Sequence, residues 1–216
     1  INLPDISGLD ILKWISGNHI PTSVIMVSGD DSIDSAIQAL RYGAVEFVRK
    51  PGDMAHIKHK VDNALHRRHL EHRHALMRMH TCLHLLCALV KFPVTGGQVG
   101  PQEGRLDFDI EDASSIDRDA LTTALNDLIA ADHPVTERSI SDAELEANPG
   151  LIRTMSVKPP MGSGRVRLIA IGENGSVDLQ PCGGTHVSRT GEIGRVAVGK
   201  IEKKGKINRR IRVAFA

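Results

Sequence analysis

Residues 80–84 read His-Thr-Cys-Leu-His, residues 182–186 read Cys-Gly-Gly-Thr-His, and these two stretches decide how the second half of the chain must fold. In each stretch, two side chains that bind metal ions lie four residues apart. Zinc binds nitrogen and sulfur ligands of this kind in a tetrahedron. A site made from both stretches requires a fold that closes around the ion. We therefore predict that His80, His84, Cys182 and His186 hold Zn²⁺.

The first stretch lies in an apolar run, residues 80–90, that predicts a helix. Side chains at i and i+4 lie on one helix face, so His80 and His84 can contact the same ion. Taken alone, such a pair is weak evidence, since a histidine on an apolar helix is usually a core residue. No glutamate follows His80, which excludes the H-E-x-x-H metalloprotease motif. We expect Cys82 and Cys87 to face the core.

The second stretch predicts a tight turn. Gly183 and Gly184 permit backbone angles that other residues resist, and the turn would bring Cys182 and His186 together. An ordinary turn and a buried cysteine would each explain one part of this stretch. Neither explains a second pair of metal ligands at the same spacing, so metal binding is the favoured interpretation.

The composition is that of an ordinary globular protein. The 216 residues suffice for one large or two small domains, with 41% hydrophobic and 25% charged residues. A formal net charge of +1 gives no overall field that attracts nucleic acid, so any RNA contact must come from local patches. Three cysteines without regular spacing argue against a disulfide-rich secreted domain and favour the cytoplasm. No signal peptide or membrane-spanning run is visible, so no membrane association is expected.

Residues 1–70 alternate between helix and strand signals. Apolar residues at helical spacing predict helices near 6–17, 33–40 and 54–65, and the short apolar runs 23–27 and 44–48 predict buried strands. Helices between buried strands favour an α/β layer with a parallel sheet. The basic, histidine-rich run that follows is expected to continue the last helix.

The motifs of this half resemble the receiver domain of bacterial response regulators. The matching segments are Leu3-Pro4-Asp5-Ile6-Ser7-Gly8, Val24-Ile25-Met26-Val27-Ser28-Gly29 and Gly43-Ala44-Val45-Glu46-Phe47-Val48-Arg49-Lys50-Pro51. The resemblance implies that Ser28 and Lys50 are remnants of a phosphoryl-binding site, and that the Lys50–Pro51 bond is cis. It covers the C-terminal part of a receiver, a partial flavodoxin-like sheet. The family's acceptor aspartate would precede Ile1, so no phosphorylation site is expected here.

The second half resembles the editing domain of alanyl-tRNA synthetase, and still more the free-standing AlaX-type editing proteins. Besides the two metal-ligand stretches, the matching segments are Arg105-Leu106-Asp107-Phe108, Gly191-Glu192-Ile193-Gly194 and Lys200-Ile201-Glu202-Lys203-Lys204-Gly205. The resemblance implies an α+β fold with an antiparallel sheet and a zinc site. It also implies an ATP-independent hydrolase that removes serine or glycine from mischarged tRNA(Ala) in trans, as a translation quality-control factor.

The number of protein ligands in the proposed zinc site is difficult to reconcile with a catalytic role of the ion. Zinc lowers the pKa of bound water and polarises carbonyl groups, which suits the hydrolysis of an aminoacyl ester. Four protein ligands fill a tetrahedron, however, whereas a catalytic zinc ion keeps one position open. Whether the ion activates water or anchors the substrate is left open by the sequence.

Two further sets of residues are candidates for substrate contacts. The resemblance places the amino-acid pocket near Val94-Thr95-Gly96-Gly97-Gln98, so Thr95, Gly97 and Gln98 are predicted to bind the substrate. A polar hairpin turn is the alternative interpretation of this segment. The basic stretch 200–212 predicts a strand pair around Gly205, and a solvated edge is its default interpretation. With an RNA substrate implied, its candidates for phosphate contact are Lys203, Lys204, Arg209 and Arg210.

The predicted organisation is a truncated receiver fragment (1–70), a basic histidine-rich linker helix (71–76) and an alanyl-tRNA editing domain (77–216). Two other functions remain as alternatives. One is a signalling adaptor in which the receiver half regulates a partner, and the other is a non-catalytic, zinc-stabilised RNA-binding module. The sequence does not choose between serine and glycine and leaves the oligomeric state unknown.

Overall fold

The computed structural model describes two compact units, Ile1–Glu71 and His72–Ala216. The described residues are 6–30, 32–111, 116–154, 164–205 and 207–216. Leu3, Pro4 and Asp5 of the receiver-like motif, and Lys206 of the basic stretch, lie outside them. Within the described ranges, no helix is long and apolar enough to cross a membrane. The exact boundaries 1–70, 71–76 and 77–216 stay a prediction.

The first unit is a small α/β layer. Its elements in chain order are α1 (Gly8–Gly17), β1 (Ile25–Ser28), α2 (Ile33–Arg41), β2 (Glu46–Arg49) and the first part of α3 (Met54–Leu89). Strands β1 and β2 pair in parallel, with Met26 opposite Phe47, which confirms the predicted parallel sheet. The side chain of Ser7 caps α1 by accepting a hydrogen bond from the Leu9 amide.

Helix α2 is present where the sequence predicts it, but its apolar residues are not all buried. Gly43 follows the helix with a φ of 94°, in the left-handed region that glycine tolerates. Ile33 and Leu40 are 76% and 52% exposed, whereas the small Ala39 is fully buried. The described sheet of this unit has two strands. A sheet that narrow covers a narrow strip of the helix, so helical spacing located the helix without identifying its buried face.

Helix α3 runs without interruption from Met54 to Leu89, as predicted for the histidine-rich run. Its character changes along its length. Residues 65–74 are exposed, whereas residues 81–87 are all buried. The first stretch is therefore a solvated helix, and the second, which contains His84, is part of a core.

The second unit is an α+β fold in which all strand pairs are antiparallel. After α3, its elements are β3 (Val94–Val99), β4 (Glu103–Asp109), α4 (Arg118–Ala130), β5 (Val135–Ile140), α5 (Asp142–Ala147), β6 (Val166–Ile171), β7 (Asp178–Pro181), β8 (Val196–Val198), β9 (Glu202–Lys203) and β10 (Asn208–Phe215). One sheet has the order β3-β4-β10-β8, with β9 also on β10, and the other has the order β5-β6-β7. The antiparallel architecture and the strand pair around Gly205 are confirmed.

The end of α3 lies at the centre of the core of this unit. Leu85 and Leu86 on the helix, Phe108 and Ile211 on the larger sheet, and Leu125 on α4 are all fully buried in one cluster. The contact between α3 and β4 is close: a Cβ atom added at Gly104 would lie 2.8 Å from Cγ of Met79. Since Met79 immediately precedes His80, the same contact holds the first metal-ligand stretch against the sheet.

Replacement of Gly104 by alanine tests this contact. The added methyl group must displace Met79 and Leu83, whose Cδ1 lies 3.1 Å from the built Cβ. We expect the free energy of unfolding of this unit to fall by about 1–3 kcal/mol in urea denaturation. Gly150→Ala is the control, because its Cβ would meet nothing within 4 Å. Equal stability of the two variants would contradict the close packing of α3 on β4.

Candidate metal centre

The structure brings the four predicted metal ligands together. His80 and His84 lie on α3, and Cys182 and His186 lie in the loop after β7. One donor atom from each lies within 4.8 Å of all the others. Zn–N and Zn–S bonds of tetrahedral zinc require N···S separations of roughly 3.5 Å. Sγ of Cys182 lies 3.6 Å from Nε2 of His80 and 3.4 Å from Nε2 of His186. The cluster can therefore hold a metal ion, and its donors suit zinc.

A buried carboxylate fixes the orientation of His84, which is 5% exposed. Nδ1 of His84 lies 2.9 Å from Oδ2 of Asp178. Because a carboxylate oxygen accepts hydrogen bonds, Nδ1 donates its proton to Asp178, and Nε2 is the nitrogen left to bind a metal ion. Nε2 of Gln180 donates to the same carboxylate oxygen over 2.8 Å.

A hydroxyl group fixes the orientation of His186 in the same way. Oγ1 of Thr81 donates its proton to the Met77 carbonyl over 2.9 Å. It must therefore accept from Nδ1 of His186, at 3.1 Å, and from the Val187 amide, at 3.3 Å. Nδ1 of His186 thus carries the proton, and Nε2 faces Cys182.

The supporting residues Asp178, Gln180 and Thr81 were not predicted from the sequence, although the first two lie in a recognisable pattern. Asp178, Gln180 and Cys182 alternate along β7 and its end, so strand geometry places them on one face. Such alternation next to a metal ligand is a pattern that could have been found. Thr81 left no comparable signal, because its neighbour His186 lies far away in the sequence.

The turn that carries Cys182 is held from outside and fits closely against His80. Arg167 on β6 donates to the carbonyls of Cys182, over 3.0 Å, and Gly184, over 2.6 Å, and pairs with Glu137 on β5. A Cβ at Gly184 would lie 2.1 Å from Cε1 of His80. Neither Gly183 nor Gly184 has a positive φ. Gly184 is needed for this close approach and not for the unusual backbone angles that the sequence suggested.

The electrostatics of the cluster favour a thiolate ligand. Burial alone would raise the pKa of Cys182, but its contacts with His186, His80 and His84 outweigh burial and lower the pKa to about 3. For His84, burial lowers the pKa, but the bond to Asp178 and the Cys182 thiolate outweigh it and raise the pKa to about 9. Cys82 and Cys87 are buried in the core, as predicted, and this burial raises their pKa values to about 12.

A cavity of about 350 Å³ opens beside the cluster. His80, His84 and Cys182 form one part of its wall, and the apolar side chains of Leu83 and Leu106 form another. The remaining lining residues are Cys87, Val94, Gly96, Gly97, Gln98, Val99, Ile152, Arg153, Thr154, Gln180, Pro181 and Gly183. A metal ion in the cluster would thus face a chamber of a size typical for small ligands.

Two of the three predicted substrate-binding residues, Gly97 and Gln98, line this cavity, and Thr95 does not. The register between β3 and β4 shifts between Val94 and Gly96, so Thr95 lies in a β-bulge. A bulge re-aims the side chain of the extra residue. Oγ1 of Thr95 accordingly donates to the Asp107 carbonyl over 3.1 Å and accepts from Nδ2 of Asn208. The roles of Gly97, Gln98 and Thr95 in substrate binding stay predictions.

The four residues predicted to contact phosphate differ in how firmly they are already bound to other protein groups. Arg209 is buried and donates to the carbonyls of Glu111 and Asn208. Arg210 makes two hydrogen bonds to the carboxylate of Asp107. Lys204 pairs with Glu202, and Lys203 is exposed opposite Arg209. Phosphate binding by these four residues stays a prediction, and the geometry favours the two lysines over the two arginines for this role.

In the first unit, Ser28 and Lys50, the two residues predicted from the receiver resemblance, lie side by side. Ser28 ends β1, is fully buried, and accepts a hydrogen bond from the Asp30 amide at its Oγ. Lys50 follows β2, and its amide donates to the Ser28 carbonyl over 2.6 Å. The Lys50–Pro51 bond is cis, as the resemblance implies. Both residues therefore lie at the carboxyl ends of parallel strands.

Comparison with known families confirms both resemblances. Residues 166–212 match the model of the threonyl and alanyl tRNA synthetase second additional domain. Residues 1–62 match the model of the response regulator receiver domain. Each half of the chain is therefore similar to a different family.

Individual relatives of both kinds are found. The chain is 32% identical over 148 residues to the alanyl-tRNA editing protein AlaX-M of Methanosarcina acetivorans, covering 65% of this chain and 58% of the relative. It is 28% identical over 175 residues to AlaX-M of Saccharolobus solfataricus, covering 75% and 72%. It is 42% identical over 71 residues to the response regulator protein PilR of Pseudomonas aeruginosa, covering 33% and 16%. The chain spans less than two thirds of the length of the first curated relatives it matches.

Alkylation of the metal-free protein tests the thiolate at Cys182. Because its pKa is about 3, the rate of reaction with iodoacetamide should stay nearly constant from pH 8 to pH 5. An ordinary thiol would slow by about three orders of magnitude at constant reagent, since its pKa is near 8.5. Mass spectrometry locates the modified residue, and Cys182→Ser is the control. A rate that falls tenfold per pH unit would contradict the proposed electrostatics.

Replacement of Asp178 by asparagine tests the orientation of His84. The amide cannot accept as a carboxylate does, so metal affinity should fall about 10–100-fold in a chelator competition assay. Asp119→Asn is a matched control, because the Asp119 side chain is 81% exposed on α4. Unchanged affinity in the Asp178 variant would show that this hydrogen bond does not orient the ligand.

Proposed function

We propose that the second unit is a zinc-dependent hydrolase that removes serine or glycine from mischarged tRNA(Ala) in trans. The observation that carries this proposal is the cluster of His80, His84, Cys182 and His186 at the wall of a ligand-sized cavity. The similarity to the AlaX-M alanyl-tRNA editing proteins supports mischarged alanine tRNA as the substrate class. The donor set, three imidazoles and one thiolate, supports zinc as the ion.

In this proposal the metal ligands have different roles. His84 and His186 are held from behind by Asp178 and Thr81, so they serve as fixed anchors. His80 lines the cavity, whereas His186 is not among its lining residues, so His80 is a ligand on the substrate side. The chemistry that zinc supplies in such a site is polarisation of the ester carbonyl and a lower pKa for water.

The cavity walls supply the rest of the chemistry. Leu83, Val94 and Leu106 exclude bulk water, which strengthens the polar interactions inside. Gln98 and Gln180 bring amide groups to the wall. Nε2 of Gln180 already donates to Asp178, so its carbonyl oxygen is the atom that would accept a proton from a seryl hydroxyl. An alanyl group offers no such proton and leaves the amide unpaired, which disfavours the correctly charged tRNA.

The position of the cluster argues against one alternative function, the non-catalytic RNA-binding module. A non-catalytic RNA-binding module would need the metal only to hold the fold, and structural zinc sites are closed. The cluster described here instead has three of its four ligands at a cavity wall. This arrangement favours hydrolysis over a purely structural ion.

Deacylation of defined tRNAs tests the proposal. The zinc-loaded protein should release serine or glycine from tRNA(Ala) well above the uncatalysed rate. Release of alanine should be at least about 100-fold slower than release of serine, because an alanyl group leaves the hydroxyl-binding amide unpaired. His80→Ala should lose the metal-dependent rate. His72→Ala, an exposed histidine on the same helix, is the matched control and should keep it.

Two outcomes would overturn the proposal. A folded, zinc-loaded protein that binds tRNA but hydrolyses no aminoacyl ester would indicate the RNA-binding module. Equal rates for His80→Ala and the unchanged protein would show that the cluster takes no part in the reaction.

A further inference from the structure

The cavity contains a cationic side chain that the proposed chemistry does not use. Arg153 lines the wall together with its neighbours Ile152 and Thr154. The Arg153 carbonyl accepts a hydrogen bond from the Val94 amide over 3.0 Å, and Thr154 bridges Val94 in parallel. These contacts fasten the segment to the start of β3. Arg153 is therefore held at the cavity by its backbone.

The guanidinium group of Arg153 has no carboxylate within ion-pair distance among the residues that the structure describes. By contrast, Arg105 and Arg210 both pair with Asp107. Arg153 is half-buried beside apolar walls. A guanidinium group in such a position has hydrogen-bond donors left over for an anion of a ligand. The site is thus prepared for a negatively charged group of a ligand.

Arg153 lies in a different segment of the chain from the four predicted metal ligands. Ile152 is 38% exposed and lines the same cavity, so this segment forms part of the mouth. The charge of Arg153 still acts inside the cavity: burial raises the pKa of Cys87, and Arg153 opposes that rise. The charge of Arg153 therefore acts on the inside of the cavity, from a segment that is partly open to solvent.

The size of the cavity exceeds what an amino acid requires. A seryl or glycyl group has few heavy atoms, whereas about 350 Å³ is enough for a larger ligand. In an aminoacyl-tRNA, the ester is attached to the ribose of the terminal nucleoside, and the nearest anion is the phosphate on the 5′ side of that nucleoside. A guanidinium group matches phosphate with two parallel hydrogen bonds.

We infer that Arg153 binds the phosphate on the 5′ side of the terminal nucleoside and so positions the ester against the metal cluster. This inference rests on the proposed function and names the part of the tRNA that the cavity takes. Arg153 is a positioning residue, since it contacts the substrate away from the reacting atoms. It supplies a phosphate contact inside the site, where Arg209 and Arg210 are engaged elsewhere.

Two small substrates test the contact between Arg153 and the phosphate. The 3′-O-seryl esters of adenosine and of adenosine 5′-phosphate differ by the phosphate alone. The unchanged protein should hydrolyse the phosphorylated ester with at least about tenfold higher kcat/KM, mainly through a lower KM, as expected for a charged hydrogen bond. Arg153→Gln should treat both esters alike and keep the rate on the unphosphorylated one. Arg153→Lys, which keeps the charge, should recover part of the preference.

The same comparison by equilibrium binding does not depend on turnover. Non-hydrolysable 3′-seryl-amide analogues, with and without the 5′-phosphate, are titrated into the zinc-loaded protein. The phosphate should improve the Kd about tenfold, and Arg153→Gln should remove that gain. Arg195→Gln, an exposed arginine outside the cavity lining, is the control and should retain it.

The outcomes separate this inference from the function on which it rests. Loss of hydrolysis on both esters alike in Arg153→Gln would indicate a contact with the reacting carbonyl and overturn the phosphate assignment. A phosphate preference that survives in Arg153→Gln would overturn it as well. If the unchanged protein hydrolyses seryl-tRNA but gains nothing from the phosphate, the inference alone fails. If it hydrolyses no seryl-tRNA, the proposed function fails first.

Discussion

The packing of α3 against the antiparallel sheets is the constraint on which the candidate site depends. Residues 81–87 of this helix are all buried, so the helix can neither rotate nor slide without exposing apolar surface. That fixes the direction in which His80 and His84 point. The loop after β7 can meet them because Gly184 has no side chain to collide with His80. Two glycines, Gly104 beneath the helix and Gly184 beside it, therefore set the distance between the halves of the site.

A second consequence of this packing is that the cluster is organised before any ion binds. Nδ1 of His84 donates a hydrogen bond to Asp178 and Nδ1 of His186 donates one to Thr81, while the histidine contacts lower the pKa of Cys182 to about 3. The metal-free cluster thus resembles an ion pair, with a raised pKa at His84 and a lowered pKa at Cys182. A metal ion must displace the extra proton of His84, so its binding is coupled to proton release.

The functional proposals concern one unit of the chain. The metal ligands, their supporting residues and the cavity all lie within His72–Ala216. The receiver-like unit retains Ser28 and Lys50 at adjacent strand ends and a cis Lys50–Pro51 bond. The two family models match separate segments, residues 1–62 and 166–212, so the two units carry separate family resemblances.

Local geometry explains what could be predicted from the sequence. The i, i+4 spacing of a helix placed His80 and His84 on one face, and the same spacing picked out Cys182 and His186. Apolar runs and glycines located the parallel strands, the long helix and the strand pair around Gly205. These predictions depend on residues close together in the chain, and the structure confirms them.

Only the tertiary structure decided which residues support the site. The bond from His84 to Asp178, the bulge that turns Thr95 toward Asp107, and the place of Arg153 in the cavity all join segments far apart in the chain. Each depends on strand register and on helix packing, and a register shift of one residue would reverse which side chains face the core. The sequence by itself therefore determined the four candidate metal ligands, whereas the fold determined how they are oriented and what lies beside them.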